Sequence, residues 1–159
     1  FSANIHNVVE RYRVENPSID IETMFEPVTV ACSRAASRFS AADYAAGIEC
    51  TQQAARDLSR FFVKYDVLLT PTLAKPPLHL GEISMMMDDW ALYLDKMLNE
   101  IPFTPLFNAT GTPAASLPLA KCPDGLPVGV QIGAELGKEN LLLRLSRALE
   151  LAAPWHQRI

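Results

Sequence analysis

The side chains able to make or break bonds are few in this chain, and they stand apart. Cys122 follows Lys121, a cation that would favour a thiolate, but it also opens Cys122-Pro-Asp-Gly125 with no histidine nearby in sequence. That pattern describes a turn better than a nucleophile. His6, His79 and His156 are isolated, and no pair has the i, i+4 spacing that puts two ligands on one helical face, so no metal site is expected. Lys75 sits in a proline-rich run and Lys121 beside the turn, places where water keeps an ammonium charged, so both read as surface charges rather than bases. Cys32, Cys50 and Cys122 are odd in number and scattered, which suits neither a disulfide framework nor a zinc site and points to a reducing, cytoplasmic setting.

Side chains suited to recognition are better grouped. Trp90, Phe103 and Phe107 precede a glycine-rich stretch and could line the apolar side of a pocket, or pack into a core. Asn108 could orient a substrate through its amide, or bond its own backbone as a turn residue. Gly111 and Pro113 shape the entry to a strand. Met85, Met86 and Met87 suit an adaptable lid or a variable surface loop.

The elements that must position these groups show in the hydrophobic periodicity. Ile5, Val8, Val9 and Tyr12 predict a short amphipathic helix stopped near Pro17. Met24, Val28, Ala31, Cys32, Ala35 and Phe39 share one face of a second helix beginning near Glu26, with Pro27 in its first turn. Ser40-Ala-Ala-Asp43 is a capping-box variant and opens a third helix, reaching Lys64 with Tyr44, Ile48, Ala55, Leu58, Phe62 and Tyr65 as its stripe. At ~1.5 Å per residue that helix would be about 37 Å long, which calls for a body larger than a small domain.

The period then changes. Val67-Leu-Leu-Thr70 reads as a buried strand halted by Pro71, followed by a loop through Pro76 and Pro77. A helix with Trp90, Tyr93, Leu94, Met97, Leu98 and Ile101 on one face follows Asp88 and Asp89 and ends at Pro102. Past Phe103 the glycines and prolines crowd together and predict closely spaced turns. Ala114–Leu117 and Val128–Ile132 read as a hairpin joined by a type I turn, and Leu141, Leu142, Leu145 and Leu149 mark a last helix before Pro154. The result is an α/β fold with an incomplete sheet: a helical segment over 1–64, then strands and helices of one core over 65–159.

With 159 residues, 49% of them hydrophobic and 20% charged, the chain is of ordinary globular composition. No apolar run approaches the ~20 residues of a membrane span, and a formal net charge of −4 offers nothing general to phosphate backbones or anionic lipid, so neither membrane nor nucleic acid is expected as a partner. The first residue is Phe1 and no segment has the layout of a signal peptide, which reads as a fragment or processed chain.

Phe107-Asn-Ala-Thr-Gly-Thr-Pro-Ala-Ala-Ser-Leu-Pro118, then Gly125-Leu-Pro-Val-Gly-Val-Gln131, then Pro154-Trp155, resemble in order and spacing the C-terminal signature of the amidase-signature family. Tyr65-Asp-Val-Leu-Leu-Thr-Pro-Thr72 with Pro76, Pro77 and Gly81 is similar to that family's strand and proline-rich loop, and Phe39-Ser-Ala-Ala-Asp-Tyr44 to the helix start before it. The resemblance covers about Phe39 to Trp155.

It implies the C-terminal portion of a large α/β/α enzyme with a mixed sheet flanked by helices. In that family a serine, a second serine in a cis peptide and a lysine hydrolyse a carboxamide without metal or cofactor. Such a lysine must lose its proton through burial, and the oxyanion rests on backbone N–H donors. The family's lysine and Gly-Gly-Ser-Ser-Gly loop lie upstream, and this sequence has no Ser-Ser pair, so no catalytic residue is assigned within it. The implied substrate is a small-molecule amide of a longer parent protein, and the implied partner is that parent's N-terminal part. Unpaired edges predict self-association of the chain alone. Within the family the rival is the glutamine-hydrolysing component of a tRNA-dependent amidotransferase. Outside it, the rival is a non-catalytic module keeping the fold.

Overall fold

The structure is a computed structural model, and residues 1–155 of it are described. His156 lies outside the described residues. Two compact units emerge from the contacts, Phe1–Ile48 with Leu78–Leu98, and Glu49–Pro77 with Asn99–Ile159. The contacts thus divide the chain elsewhere than at residue 64.

In the first unit, α1 (Ser2–Glu15) buries Val9 and packs on α3 (Pro27–Ala36), whose Val28, Val30, Cys32, Ser33 and Ala36 are buried. The stripe from Met24 to Phe39 is not one helix. Met24 ends a separate single turn, α2 (Ile21–Met24), capped by the Asp20 carboxylate on the Glu22 N–H, and Phe39 lies beyond α3. Pro27 accounts for the break: its ring disfavours the helical conformation in the residue before it, and Glu26 is extended with φ −60° and ψ 146°.

The boundary between the units falls within α4 (Ala41–Phe62), 22 residues and so about 33 Å long. Its start carries the predicted reciprocal cap. The Ser40 N–H and hydroxyl donate to Asp43 Oδ2 at 2.8 and 2.7 Å, and the Asp43 N–H donates to Ser40 Oγ at 3.1 Å. Of its apolar stripe Leu58 and Phe62 are buried, while Tyr44 and Ile48 stay exposed.

The second unit is built on three strands in the order β1 (Val67–Pro71), β3 (Pro127–Ala134), β2 (Ala114–Lys121), with both pairings antiparallel. This portion of the sheet is therefore not itself mixed. The hairpin between β2 and β3 turns where expected, the Gly125 N–H donating to the Cys122 carbonyl at 2.9 Å. Its register slips between Leu117 and Ala120, around Pro118, which has no N–H for the ladder. One face, with Leu117, Ile132 and Ala134, forms the core beneath Leu142 of α7 (Glu139–Ala152). On the other face Thr70, Gln131 and Ser116 stand in one row.

α5 (Trp90–Glu100) follows the methionine loop as expected. The stretch read as turns after Phe103 instead contains a helix, α6 (Thr104–Thr110). Pro105 fits its first turn, where a missing N–H costs nothing, and Gly111 ends it at φ 73°, donating its N–H to the Phe107 carbonyl. Asn108 is accordingly a helical, exposed residue rather than a turn residue.

No helix among the described residues is long and apolar enough to cross a membrane.

Candidate functional site

The four candidate recognition residues fall in different units. Trp90 belongs to the first, whereas Phe103, Phe107 and Asn108 belong to the second. Phe107 is buried beneath α6 with its ring against Gly133 of β3, while Phe103 is 37% exposed at the start of that helix. Trp90 stands in the wall of a pocket within its own unit.

That pocket, of about 130 Å³, is formed by α1, α3, the methionine loop and α5, with Ile5, Val28, Cys32, Met85, Trp90 and Met97 among its walls. Trp90 and Tyr93, one turn apart on α5, stack with ring centroids 5.9 Å apart and planes at 23°. Met85 is held twice: its carbonyl accepts from the Val28 N–H at 3.1 Å, and its sulfur accepts from the Tyr93 hydroxyl at 3.4 Å. The lid reading of the methionines thus concerns Met85 here, since Met86 is 71% exposed. Burial pushes the Cys32 thiol up, against weaker downward pulls from the Ser2 hydroxyl and the chain's amino end, so the sulfur meets the pocket as a neutral thiol.

A second, polar cleft of about 350 Å³ in the same unit holds His6, Glu10, Arg13, Ser33 and Arg34. His6 Nδ1 and the Ser33 hydroxyl lie 3.0 Å apart and tie α1 to α3. The two are 27 residues apart, and no local pattern announces the pair. Ser33 is only 4% exposed, Arg13 pairs with Glu10 and Arg34 with Glu22, so the cleft's cations already have counter-ions.

In the second unit a cleft of about 260 Å³ runs beside the proline-rich loop, between Pro71, Lys75, Pro76, Cys122, Val128 and Gly129. Lys75 Nζ reaches Glu100 Oε1 at 2.9 Å, and the Ala74 N–H donates to the Glu100 carbonyl at 2.9 Å. Lys75 is therefore a solvent-facing ammonium held by a carboxylate. Next to this cleft, Gly129 leaves room for a hydroxyl pair across the sheet, Thr72 and Ser116 at 2.6 Å, and Gln131 Nε2 donates to Thr70 Oγ1 at 3.0 Å.

This hairpin, with its glycine-ended helix and its hydroxyl-bearing face, is built by the segment that carries the signature strings. The amidase family model matches residues 6–143. The chain belongs to the amidase family. A putative amidase AmiC of Mycobacterium tuberculosis is 48% identical over 96 residues, which is 60% of this chain and 20% of that protein. A 6-aminohexanoate-cyclic-dimer hydrolase of Paenarthrobacter ureafaciens is 36% identical over 96 residues, 57% of this chain and 20% of that one. The solved structure of 6-aminohexanoate cyclic dimer hydrolase superposes with a TM-score of 0.84 and 28% identity, covering 97% of this chain and 33% of the other. This amidase chain thus spans about a fifth of the length of the curated relatives it matches.

Proposed function

We propose that the complete protein hydrolyses carboxamides to an acid and ammonia or an amine, by a serine–serine–lysine mechanism whose catalytic groups lie upstream of this chain. The observation that carries this is the ordered signature from Phe107 to Gln131, within a family match spanning residues 6–143. The chain's own contribution is positional. It supplies three strands with their covering helices, and in the first unit an apolar pocket with Trp90 in its wall. Phe103 and Asn108 are exposed enough to meet a substrate or the upstream part, whereas the Phe107 ring is taken up by packing on Gly133.

The outer edges of β1 and β2 are unpaired among the described residues, and Leu69 on β1 is 61% exposed. Both edges favour pairing with the upstream part of the protein, or self-association when the chain is alone. Three free cysteines suit a cytoplasmic setting.

Assay of the full-length protein and of the isolated chain on simple aromatic and aliphatic amides tests the reading. Turnover by the full-length protein and none by the chain is expected. Turnover by the isolated chain would overturn the placement of the chemistry upstream. Release of ammonia from glutamine in preference to every simple amide would move the assignment to the amidotransferase reading.

A further inference from the structure

We infer that the pocket between α1, α3, the methionine loop and α5 takes a single aromatic ring. Resting on the amide-hydrolysis reading, we further infer that this ring is the apolar end of the protein's amide substrate.

Size comes first. A dry apolar cavity of roughly 150 Å³ accepts benzene, and this pocket, at about 130 Å³, has room for one ring.

Lining decides the chemistry. Phe1, Ile5, Val28, Met85, Trp90 and Met97 offer hydrocarbon, sulfur and π-faces, and the only ionisable side chains in the wall are the Cys32 thiol and the Tyr93 phenol. The Tyr93 hydroxyl is turned to Met85 sulfur and the Thr29 hydroxyl to Glu26, so neither calls for a polar group on the ligand. A cationic ligand would lose its hydration with no carboxylate in the wall to replace it. Two thioethers beside a stacked Trp–Tyr pair favour an aromatic ring over an alkyl chain of equal volume, since sulfur at a ring edge and an offset ring each add attraction beyond area. The wall is also set in advance, because the bonds from Val28 and Tyr93 fix Met85 at both backbone and sulfur.

Fluorobenzene is the probe, followed by its ¹⁹F relaxation with the full-length protein. Saturable binding is expected, at least tenfold tighter than that of 4-fluorobenzylammonium. Ile5→Trp fills the pocket from α1 and should weaken fluorobenzene at least tenfold. Met97→Ala enlarges it and should raise the preference for 1-fluoronaphthalene over fluorobenzene at least tenfold, which keeps the inference testable if the filled variant does not fold. In turnover, phenylacetamide should show a KM well below that of acetamide, and Ile5→Trp should erase the difference. Absence of fluorobenzene binding to folded protein, or equal binding to all variants, overturns the pocket inference even if amides are hydrolysed. Saturable binding without hydrolysis of any amide leaves the pocket standing and removes the substrate assignment. An unaltered phenylacetamide KM in Ile5→Trp, with fluorobenzene binding lost, separates the pocket from the reaction and also overturns that assignment.

Discussion

The ring of Phe107 lies so close above Gly133 that a Cβ on the glycine would stand 1.9 Å from Cε1. A helix of seven residues is thereby seated on β3 by one aromatic side chain, itself 5% exposed. Gly133→Ala should therefore lower stability by about 1–3 kcal/mol, the usual cost of overpacking. Phe107→Leu placed on top of it should recover part of the loss. Urea midpoints of the two single variants and the double variant measure the coupling, and additive effects would show that the ring and the glycine do not meet.

The Ser40–Asp43 cap makes a pH-dependent prediction. The Ser40 hydroxyl, and after it the Ser40 N–H, hold the Asp43 carboxyl below the usual carboxylate range. A carboxyl depressed in the folded state stabilises above its unfolded pKa, about 4, and that contribution is lost as pH falls through the folded value. Asp43→Asn should lower Tm at pH 7, and its difference from wild type should close as pH falls through the folded-state pKa of Asp43. Ser40→Ala should keep part of its deficit there, because the serine oxygen also accepts from the Asp43 N–H. Melting curves across this range check both, and a Ser40→Ala deficit that vanishes completely would contradict the reciprocal cap.

Signals confined to a few neighbouring residues were legible in the sequence. The Ser40–Asp43 cap, the Cys122–Gly125 turn and the stripe from Trp90 to Glu100 each state their conformation within one or two turns of chain. The helix carrying Asn108 was not, because Pro105 and Gly111 look like loop punctuation when the seven residues between Phe103 and Gly111 are too short to show a period. Phe107 and Gly133 are 26 positions apart, and His6 and Ser33 are 27 apart, so their pairing exists only once the elements pack. The pocket beside Trp90 was half legible: the tryptophan and the methionines could be singled out, but the α1 and α3 walls supplied by Ile5 and Val28 could not.

The three thiols should separate cleanly by chemistry. Cys50 is exposed, Cys122 half-buried and Cys32 buried, and burial holds the Cys32 thiol above its ordinary value. Iodoacetamide at about pH 7.5, followed by mass spectrometry, should label Cys50 first, Cys122 next, and Cys32 on the order of tenfold or more slowly, as it needs both opening and ionisation. Labelling of Cys32 at the rate of Cys50 would mean that α1 and α3 do not stay packed.

The Lys75–Glu100 pair is asymmetric, and the asymmetry can be measured. The lysine side chain is 60% exposed and the glutamate side chain 12%, so water can take over the ammonium but not the carboxylate. Lys75→Met strands a largely buried anion beside the proline-rich loop and should cost about 1 kcal/mol, between the values of exposed and buried pairs. Glu100→Gln leaves an ammonium that solvent accepts and an amide that can still bond, and should cost less. Salt should narrow the gap only weakly, because the carboxylate is shielded from the ions. Urea titrations at about 0.05 and 0.5 M NaCl compare the two variants. Equal losses would indicate that the carboxylate is as well hydrated as the ammonium, against its side-chain exposure of 12%.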